Sequence, residues 1–391
     1  GCSKALGQAN RCDARSQGKV VWGMSVAELR DVAQIISGQH LLDGEHNILG
    51  KGVGYLTGPA DFGVMQPTIS RWTERPKAFC EPGDVLVTVK GAGVGKVNMA
   101  PNSTTAIGRQ LMAVRSNLDR VDAAYLFAFL SAQIAYFQGR AVGATVPGLS
   151  RSDLEELVIP LQPLPEQRRI ATRLKAQLAE VKTARQAAQA QLRELARLAN
   201  GIVFDSIRQY STHRYGLGDV LNEVKKGIGL AWAEYPVLGA TRDGLAPAKE
   251  APGKHPTKYK PAFPGTVFYN PMRILIGSIA FVDDDDTPGI TSPDYVVLQG
   301  NPGRVDSRWF YHWLRSPLGA QCITSLARGA VRERMLFNRL AEGEIELPSF
   351  TTQQKASAAL KELKPLRRAV VHQLAEIDGL PKKILAQAFE S

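Results

Sequence analysis

"VPGLSRSDLEELVIPLQPLPEQRRIATRLKAQLAEVKTARQ", residues 146–186, is the stretch that decides how this chain folds. A loop rich in Gly, Pro and Ser runs into a short apolar strand, and Pro163 and Pro165 follow. Beyond them the pattern is helical, with no stop signal for about forty residues. A helix that long in mid-chain invites a search for a second copy.

The second copy is present. "LVIPLQPLPEQRRIATRL" (157–174) corresponds to "IELPSFTTQQKASAALKEL" (345–363), and "LRELARLANGIVFDSI" (192–207) to "LAEIDGLPKKILAQAFES" (374–391). Upstream, "EPGDVLVTVKGAGVGKV" (81–97) pairs with "FPGTVFYNPMRILIGSIAFV" (263–282). Each sets Pro-Gly before a β-branched run, a polar break and a second apolar run, which predicts a hairpin. "VDAAYLFAFLSAQIAYFQGRAVG" (121–143) matches "VDSRWFYHWLRSPLGAQCITSLARGAV" (305–331), each predicting one amphipathic helix with aromatics on one face. The matched segments lie about 182 to 188 residues apart, so the chain is two half-copies.

The expected fold class is mixed α/β: two tandem α/β domains separated by long helices that form an antiparallel coiled coil, with a pseudo-twofold. The expected boundaries are a flexible leader at 1–23, a first α/β domain at 24–162, a central helix at 163–209, a second domain at 210–347 and a C-terminal helix at 348–391. Leu174, Leu178, Val181, Arg185, Ala188, Leu192, Leu195, Ala199 and Ile202 recur by threes and fours. So do Leu360, Leu363, Arg367, Val370, Leu374, Ile377, Pro381, Ile384 and Ala388, each series forming an a/d seam. Pro365 and Pro381 are expected to kink or shorten the second helix. Forty helical residues span about 60 Å, longer than a domain of this size is wide. Half-sites on one face of B-DNA recur every 34–36 Å, which roughly 23 helical residues cover. Paired helices of this length suit a ruler for a bipartite DNA sequence with an unread gap.

Charge supports that reading. The 391 residues include 48 Lys and Arg against 37 Asp and Glu, a formal net charge of +11, which favours polyanionic partners. Cys2, Cys12, Cys80 and Cys322 have neither CxxC nor His spacing, which excludes a zinc ribbon or a disulfide framework as the organising feature. Sparse cysteine and the lack of an eighteen-residue apolar run point to a cytoplasmic protein with no membrane partner.

"GATVPGLSRSDLEELVIPLQPLPEQRRIATRL", the later "GLPKKILAQAFES" and the tandem plan resemble the specificity subunit of Type I restriction–modification enzymes. The resemblance runs from about Met24 to Ser391. Its departures are in the second half, where "SFTTQQKA" stands in place of "PLPEQRR" and Pro365 interrupts the helix. It implies that each α/β domain is a target recognition domain reading one half of an asymmetric bipartite site on double-stranded DNA. It implies that the helices set the gap and dock two methyltransferase subunits, which in turn bring translocase/nuclease subunits. No catalytic residue is then expected in this chain; S-adenosylmethionine, ATP and Mg²⁺ belong to the partners. The alternatives are a Type IIB-like specificity chain, separated only by its partner's sequence, and a coiled-coil scaffold that binds proteins alone.

Motifs that mimic catalytic sites fail in detail. "GAGVGK" (91–96) has Lys90 where a Walker loop needs Gly and Val97 where it needs Ser or Thr. "NPMR" (270–273) lacks the aromatic of an adenine methyltransferase motif. "DDDD" (283–286) reads as a solvated turn, and the six histidines share no metal spacing.

Base reading requires side chains such as Arg, Lys, Asn and Gln on loops. In the first half the candidates are Gln39, His40, Lys51 and Tyr55 on a glycine-rich loop, and Lys90 and Lys96 beside the glycine hairpin. Arg140, Thr145 and Ser150 close that domain. In the second half they are Lys225, Lys226, Arg242, Lys254, Lys258, Tyr259 and Lys260, with Asn270 and Arg273 in the mimic motif. Arg328, Arg332, Arg334 and Asn338 occupy the place equivalent to 140–150.

Overall fold

Two Pro-Gly turns start the central strands. Gly83 and Gly265 hold φ near +92° and +85°, a region open to glycine, and each launches a fully buried strand, Val85–Thr88 and Thr266–Tyr269. Both predicted hairpins form, in antiparallel register: Val85 faces Met99 and Val87 faces Val97, while Thr266 faces Val282 and Tyr269 faces Ile279. The computed structural model describes residues 19–21, 24–63, 65–141, 148–327 and 334–389.

The hairpins belong to sheets of the same topology. In the first head the order is Ala33–Ser37, Leu111–Ser116, Val85–Thr88, Val97–Met99. In the second it is Leu221–Glu223, Val296–Gly300, Thr266–Tyr269, Ile279–Val282. A closing ladder ends each head, Met24–Glu28 with Val158–Pro160 and Thr212–Gly216 with Glu344–Pro348. The first head adds a smaller sheet in which Val53–Leu56 runs parallel to Thr105–Ile107. The fold is mixed α/β, with the long helices where the pattern required them.

Each amphipathic segment expected as one helix is two. Ala123–Ala132 stops at Gln133 and Ile134–Arg140 follows; Ser307–Arg315 stops at Ser316 before Pro317–Leu326. Pro317 cannot continue a helix but begins one without loss, because its missing N–H falls among the first-turn donors that have no intrahelical acceptor. Apolar spacing persists across the break, which is why periodicity alone merges the pair.

The long helices are Leu164–Arg208 and Phe350–Phe389, and the second runs through Pro365 and Pro381 without interruption. Each proline deletes one backbone bond, and packed residues on either side of both, Leu360, Ile377 and Leu385, keep the helix in place. The chain divides into two compact units: residues up to Arg185 with those from Glu376, and Gln186–Ala375. In the first unit the helices run antiparallel, since Leu174 packs with Leu385, Ile384 and Ala388, while Arg185 further along pairs with Asp378 at 2.8 Å. Phe389 packs edge-on against Tyr125 and Phe129, with ring centroids 5.4 Å away in each case. In the second unit Ala199, Ile202 and Val203 join Leu360, Leu363, Trp309 and Trp313 in one core.

One side chain organises each head. Gln167 is fully buried; its amide donates to the carbonyls of Arg120 (2.9 Å) and Gln162 (2.7 Å), and its oxygen accepts from the Asp122 N–H (2.9 Å). Gln353, also fully buried, donates to Arg304 and Pro348 and accepts from the Asp306 N–H, each at 2.9 Å. Each glutamine thereby ties the first turn of a long helix to the end of the closing strand and to the start of the head's aromatic helix.

The acidic run is not a solvated turn. Asp283 and Asp284 hold Arg308, Lys361 pairs with Asp284 at 3.0 Å, and Lys364 and Arg368 engage Asp286 at 3.0 and 2.6 Å. The network binds the second head to the C-terminal helix. Burial pushes the Asp283 carboxyl up, but the Arg308 hydrogen bond, the Asp284 amide and the nearby Arg308 and Lys364 charges outweigh it and bring it down to about 2. Among the described residues no helix is long and apolar enough to cross a membrane.

Two tests follow from these contacts. Gln353→Leu leaves two carbonyls and one N–H unpaired in the interior, so chemical denaturation followed by Trp fluorescence should show a loss of roughly 2–4 kcal/mol; a change below about 0.5 kcal/mol would mean the amide is idle. A carboxyl depressed by folding contributes stability above its unfolded value and loses it as pH falls through the folded one. The thermal midpoint should therefore drop as pH is lowered from about 4 towards 2, and Asp283→Asn should flatten that drop.

Candidate nucleic-acid interface

Hairpin tips and the segments packed on them bring together six of the candidate cations, Lys90, Lys96 and Arg140 in the first head and Arg242, Arg273 and Arg334 in the second. In the first head, Lys90 and Lys96 flank the glycine loop and are exposed. Gly95, with φ near +87°, lets the loop lie on the helix Ile134–Arg140: a Cβ there would sit 3.2 Å from that of Phe137. The chain returns beside it, as Lys90 bridges to Gly148 and the Leu149 N–H donates to the Val89 carbonyl at 2.8 Å. Arg140 ends the helix, 3.8 Å from Asp153 and stacked 5.3 Å from the Tyr136 ring centre. Ser150 caps the helix Arg151–Glu155, its hydroxyl accepting from the Asp153 N–H. Lys90, Lys96, Arg140 and Ser150 thus converge on one rim, with Ser150 committed to capping. Thr145 lies outside the described residues.

A second group lies over the smaller sheet. Gln39, His40 and Lys51 are exposed. Asn47 stiffens their loop, accepting from the Leu49 and Lys51 N–H groups and donating to the Lys51 and Trp72 carbonyls. Tyr55 is a correction: it is 5% exposed, packs with Leu41 and Ala106, and stacks on His46. It and the next residue, Leu56, are both buried although they face opposite sides of the strand, and burial raises the hydroxyl above its ordinary value. The structure adds Arg71 and Arg109, whose charges act on Tyr55 from the same neighbourhood. "RWTERPK" (71–77), basic with an interleaved Trp, was the readable signal for Arg71.

In the second head the equivalent rim is built from Arg242, Arg273 and Arg334. The Met335 N–H donates to the Pro271 carbonyl at 3.1 Å, the counterpart of Leu149 on Val89, and brings Arg334 to the loop 270–278. A Cβ on Gly277 would lie 4.0 Å from Cγ of Arg242. Arg315, not among the sequence candidates, donates to the carbonyls of Gly277, Ile279 and Arg242 and so fixes loop to hairpin. Arg334 also pairs with Asp294 at 3.3 Å. The Asn270 side chain accepts from the Met272 N–H, which makes it a turn former, and Asn338 is exposed on the short helix Phe337–Leu340. Arg328 and Arg332 lie outside the described residues.

Lys225, Lys226, Lys254 and Lys258 are exposed, Lys225 standing 3.5 Å from Glu223. Two further candidates are structural. The Tyr259 hydroxyl accepts from the Gly253 N–H at 3.0 Å, and the Lys260 ammonium donates to the Tyr295 carbonyl at 2.8 Å. Burial lowers the Lys260 pKa, marking an amine drawn inward by its strand. Among the described residues no cluster of His, Cys, Asp and Glu could hold a metal.

Residues 23–191 match the family model for the Type I restriction modification DNA specificity domain. A protein of Methanocaldococcus jannaschii, provisionally named the type I restriction enzyme MjaX specificity subunit, is 40% identical over 146 residues, 37% of this chain and 33% of that one. The match therefore spans about a third of the relative's length. A solved structure from work on complex assembly and conformational transition of the type I R-M system aligns over 95% of this chain and 98% of its own, with TM-score 0.66 and 17% identity, a likeness of fold. The HsdS subunit of Thermoanaerobacter tengcongensis aligns over 96% and 98% at 17% identity, with TM-score 0.49.

The division of the lysines is testable by stability. Lys260→Met should cost about 1–2 kcal/mol, because the Tyr295 carbonyl loses its donor, whereas Lys258→Met should stay within about 0.5 kcal/mol. Equal losses in urea titrations would erase the distinction.

Proposed function

With a Type I restriction modification DNA specificity domain at residues 23–191 as premise, we propose that the whole chain is a non-catalytic DNA-recognition subunit, each head reading one half of an asymmetric bipartite site. The single observation that carries this is the repetition of one four-stranded sheet topology and one buried glutamine clamp in both halves, each clamp on the first turn of a long helix. Two equivalent loop rims, around the glycine loop and around 270–278, supply cations in a chain of net charge +11. Phosphate contacts from such rims set register, and the loop side chains read base edges.

The helices would dock two methyltransferase subunits and, through them, translocase/nuclease subunits. Exposed apolar residues on the helices support this: Leu198 and Phe204 on the central one, Leu366 and Val371 on the other. S-adenosylmethionine, ATP and Mg²⁺ would be bound by those partners, and the complex would work in the cytoplasm.

Methylome sequencing of cells expressing this chain with a methyltransferase partner should reveal one modified bipartite motif with a fixed gap. In binding titrations of that complex, log affinity should fall linearly with log salt, and Lys90→Ala should shallow the slope by about 1 while weakening all sequences alike. Unmodified DNA, or binding indifferent to salt, would remove this reading.

A further inference from the structure

The two equivalent loops differ in kind. In the first head the tip is Gly, Ala and Val between two lysines, and its one larger apolar residue, Val94, is buried. In the second, Met272, Leu275 and Ile276 are 51%, 59% and 63% exposed around Arg273. Bulky apolar groups in water at a loop tip cost free energy unless a partner covers them.

This tip is also rigid. Ile274 is buried and anchors a short 3₁₀ turn, Ile274–Ile276, and the Arg273 carbonyl accepts from both Ile276 and Ser278. Gly277, at φ near +83°, ends the turn, and its carbonyl is held by Arg315. The Ser278 hydroxyl donates to the Ala240 carbonyl at 2.6 Å, tying the turn to the neighbouring hairpin. Leu275 and Ile276 are therefore presented outward at little further cost in conformational entropy.

What surrounds them selects the partner. Arg273 stands within the turn, Arg242 beside Gly277 and Arg334 beside Pro271. Two carboxylates are already engaged by cations here: Asp294 pairs with Arg334, and Asp243, next to Arg242 in sequence, pairs with Arg367 at 3.7 Å. An apolar tip ringed by arginines matches a duplex whose phosphates flank a groove with stacked apolar bases inside. Proteins that enter DNA in this way insert Leu, Ile, Met or Phe between base pairs from the minor groove and kink the duplex.

We propose that Leu275 and Ile276 are a wedge that enters one base step of the half-site bound by the second head, unstacking and kinking it. Recognition there would include deformability: a pyrimidine–purine step, which opens most easily, is favoured where the wedge enters. The inference rests on the DNA-recognition reading above.

The test uses the full chain in complex with its methyltransferase partner and the site found by methylome sequencing. 2-Aminopurine is placed at successive positions through both half-sites, and bending is read by end-to-end energy transfer. Wild type should brighten 2-aminopurine severalfold at one step and kink the duplex by roughly 20–90°. Leu275→Ser/Ile276→Ser, at exposed positions, should keep the circular dichroism and melting of wild type, lose both signals, and weaken site binding by about tenfold or more. Tight, site-selective wild-type binding with no step whose fluorescence depends on these two side chains overturns the wedge and leaves the recognition reading intact. Absence of any sequence preference in the wild-type complex overturns both.

Discussion

A buried primary amide with three backbone partners is the constraint on which both halves rest. Only an amide can donate twice and accept once from a single planar group, so neither Glu nor an apolar residue of like size can replace it without stranding polar atoms. At Gln167 and Gln353 those three bonds join the beginning of a long helix, the end of a closing strand and the start of the aromatic helix. In a dry interior the bonds are strong and the penalty for breaking one is high. The surrounding sequence can change from "PLPEQRR" to "SFTTQQKA" and still build the same junction, because the requirement falls on one residue. The departure noted in the second copy therefore leaves the clamp untouched.

The heads are held to their helices by different physics. In the first unit aromatic surface leads: Phe389 lies against Tyr125 and Phe129, the Tyr125 hydroxyl donates to the Pro160 carbonyl at 2.9 Å, and one exposed ion pair, Arg168 to Asp122 at 3.4 Å, is added. In the second, the Trp309 indole donates to the Ser206 hydroxyl at 2.9 Å, and a charge network from Asp283 to Arg368 is added. Apolar contact carries no titrating group and is not weakened by screening, whereas exposed members of a charge network are screened within about 10 Å at 0.1 M salt. Single surface ion pairs contribute little, but Asp283 and Arg308 are nearly enclosed and anchor the cluster, so here geometry favours a net contribution. Acid and salt consequently bear harder on the attachment of the second head to its helix.

Whatever depended on local pattern was legible in the sequence: both Pro-Gly hairpins, both long helices, the a/d seams and the duplication. What depended on partners distant in the chain was not. Asp285 finds Lys364 and Arg368 some 80 residues on, so a run of four aspartates reads locally as a solvated turn. Tyr55 and Lys260 sit in polar, glycine-bearing stretches that look like binding loops, but neighbouring strands bury one and draw the other inward. Pro365 and Pro381 read as helix breakers because propensity counts the lost bond and not the packing on either side that outweighs it. Arg315 carries no signal in the sequence, since nothing local says that it holds three carbonyls.

Rigid junction and variable tip are two sides of one design. The loops 89–96 and 270–278 span the same two strands of equivalent sheets, and each is pinned by one backbone bond from the returning chain, Leu149 to Val89 and Met335 to Pro271. Because those bonds use backbone atoms, the exposed side chains between them, unlike the buried Val94 and Ile274, take no part in that attachment. A glycine tip with lysines and an apolar tip with arginines can then occupy the same place without disturbing the core beneath. On the proposed reading, duplicated heads that meet unlike half-sites need this separation: the clamp and sheet carry the stability, and the tips would carry the chemistry of recognition.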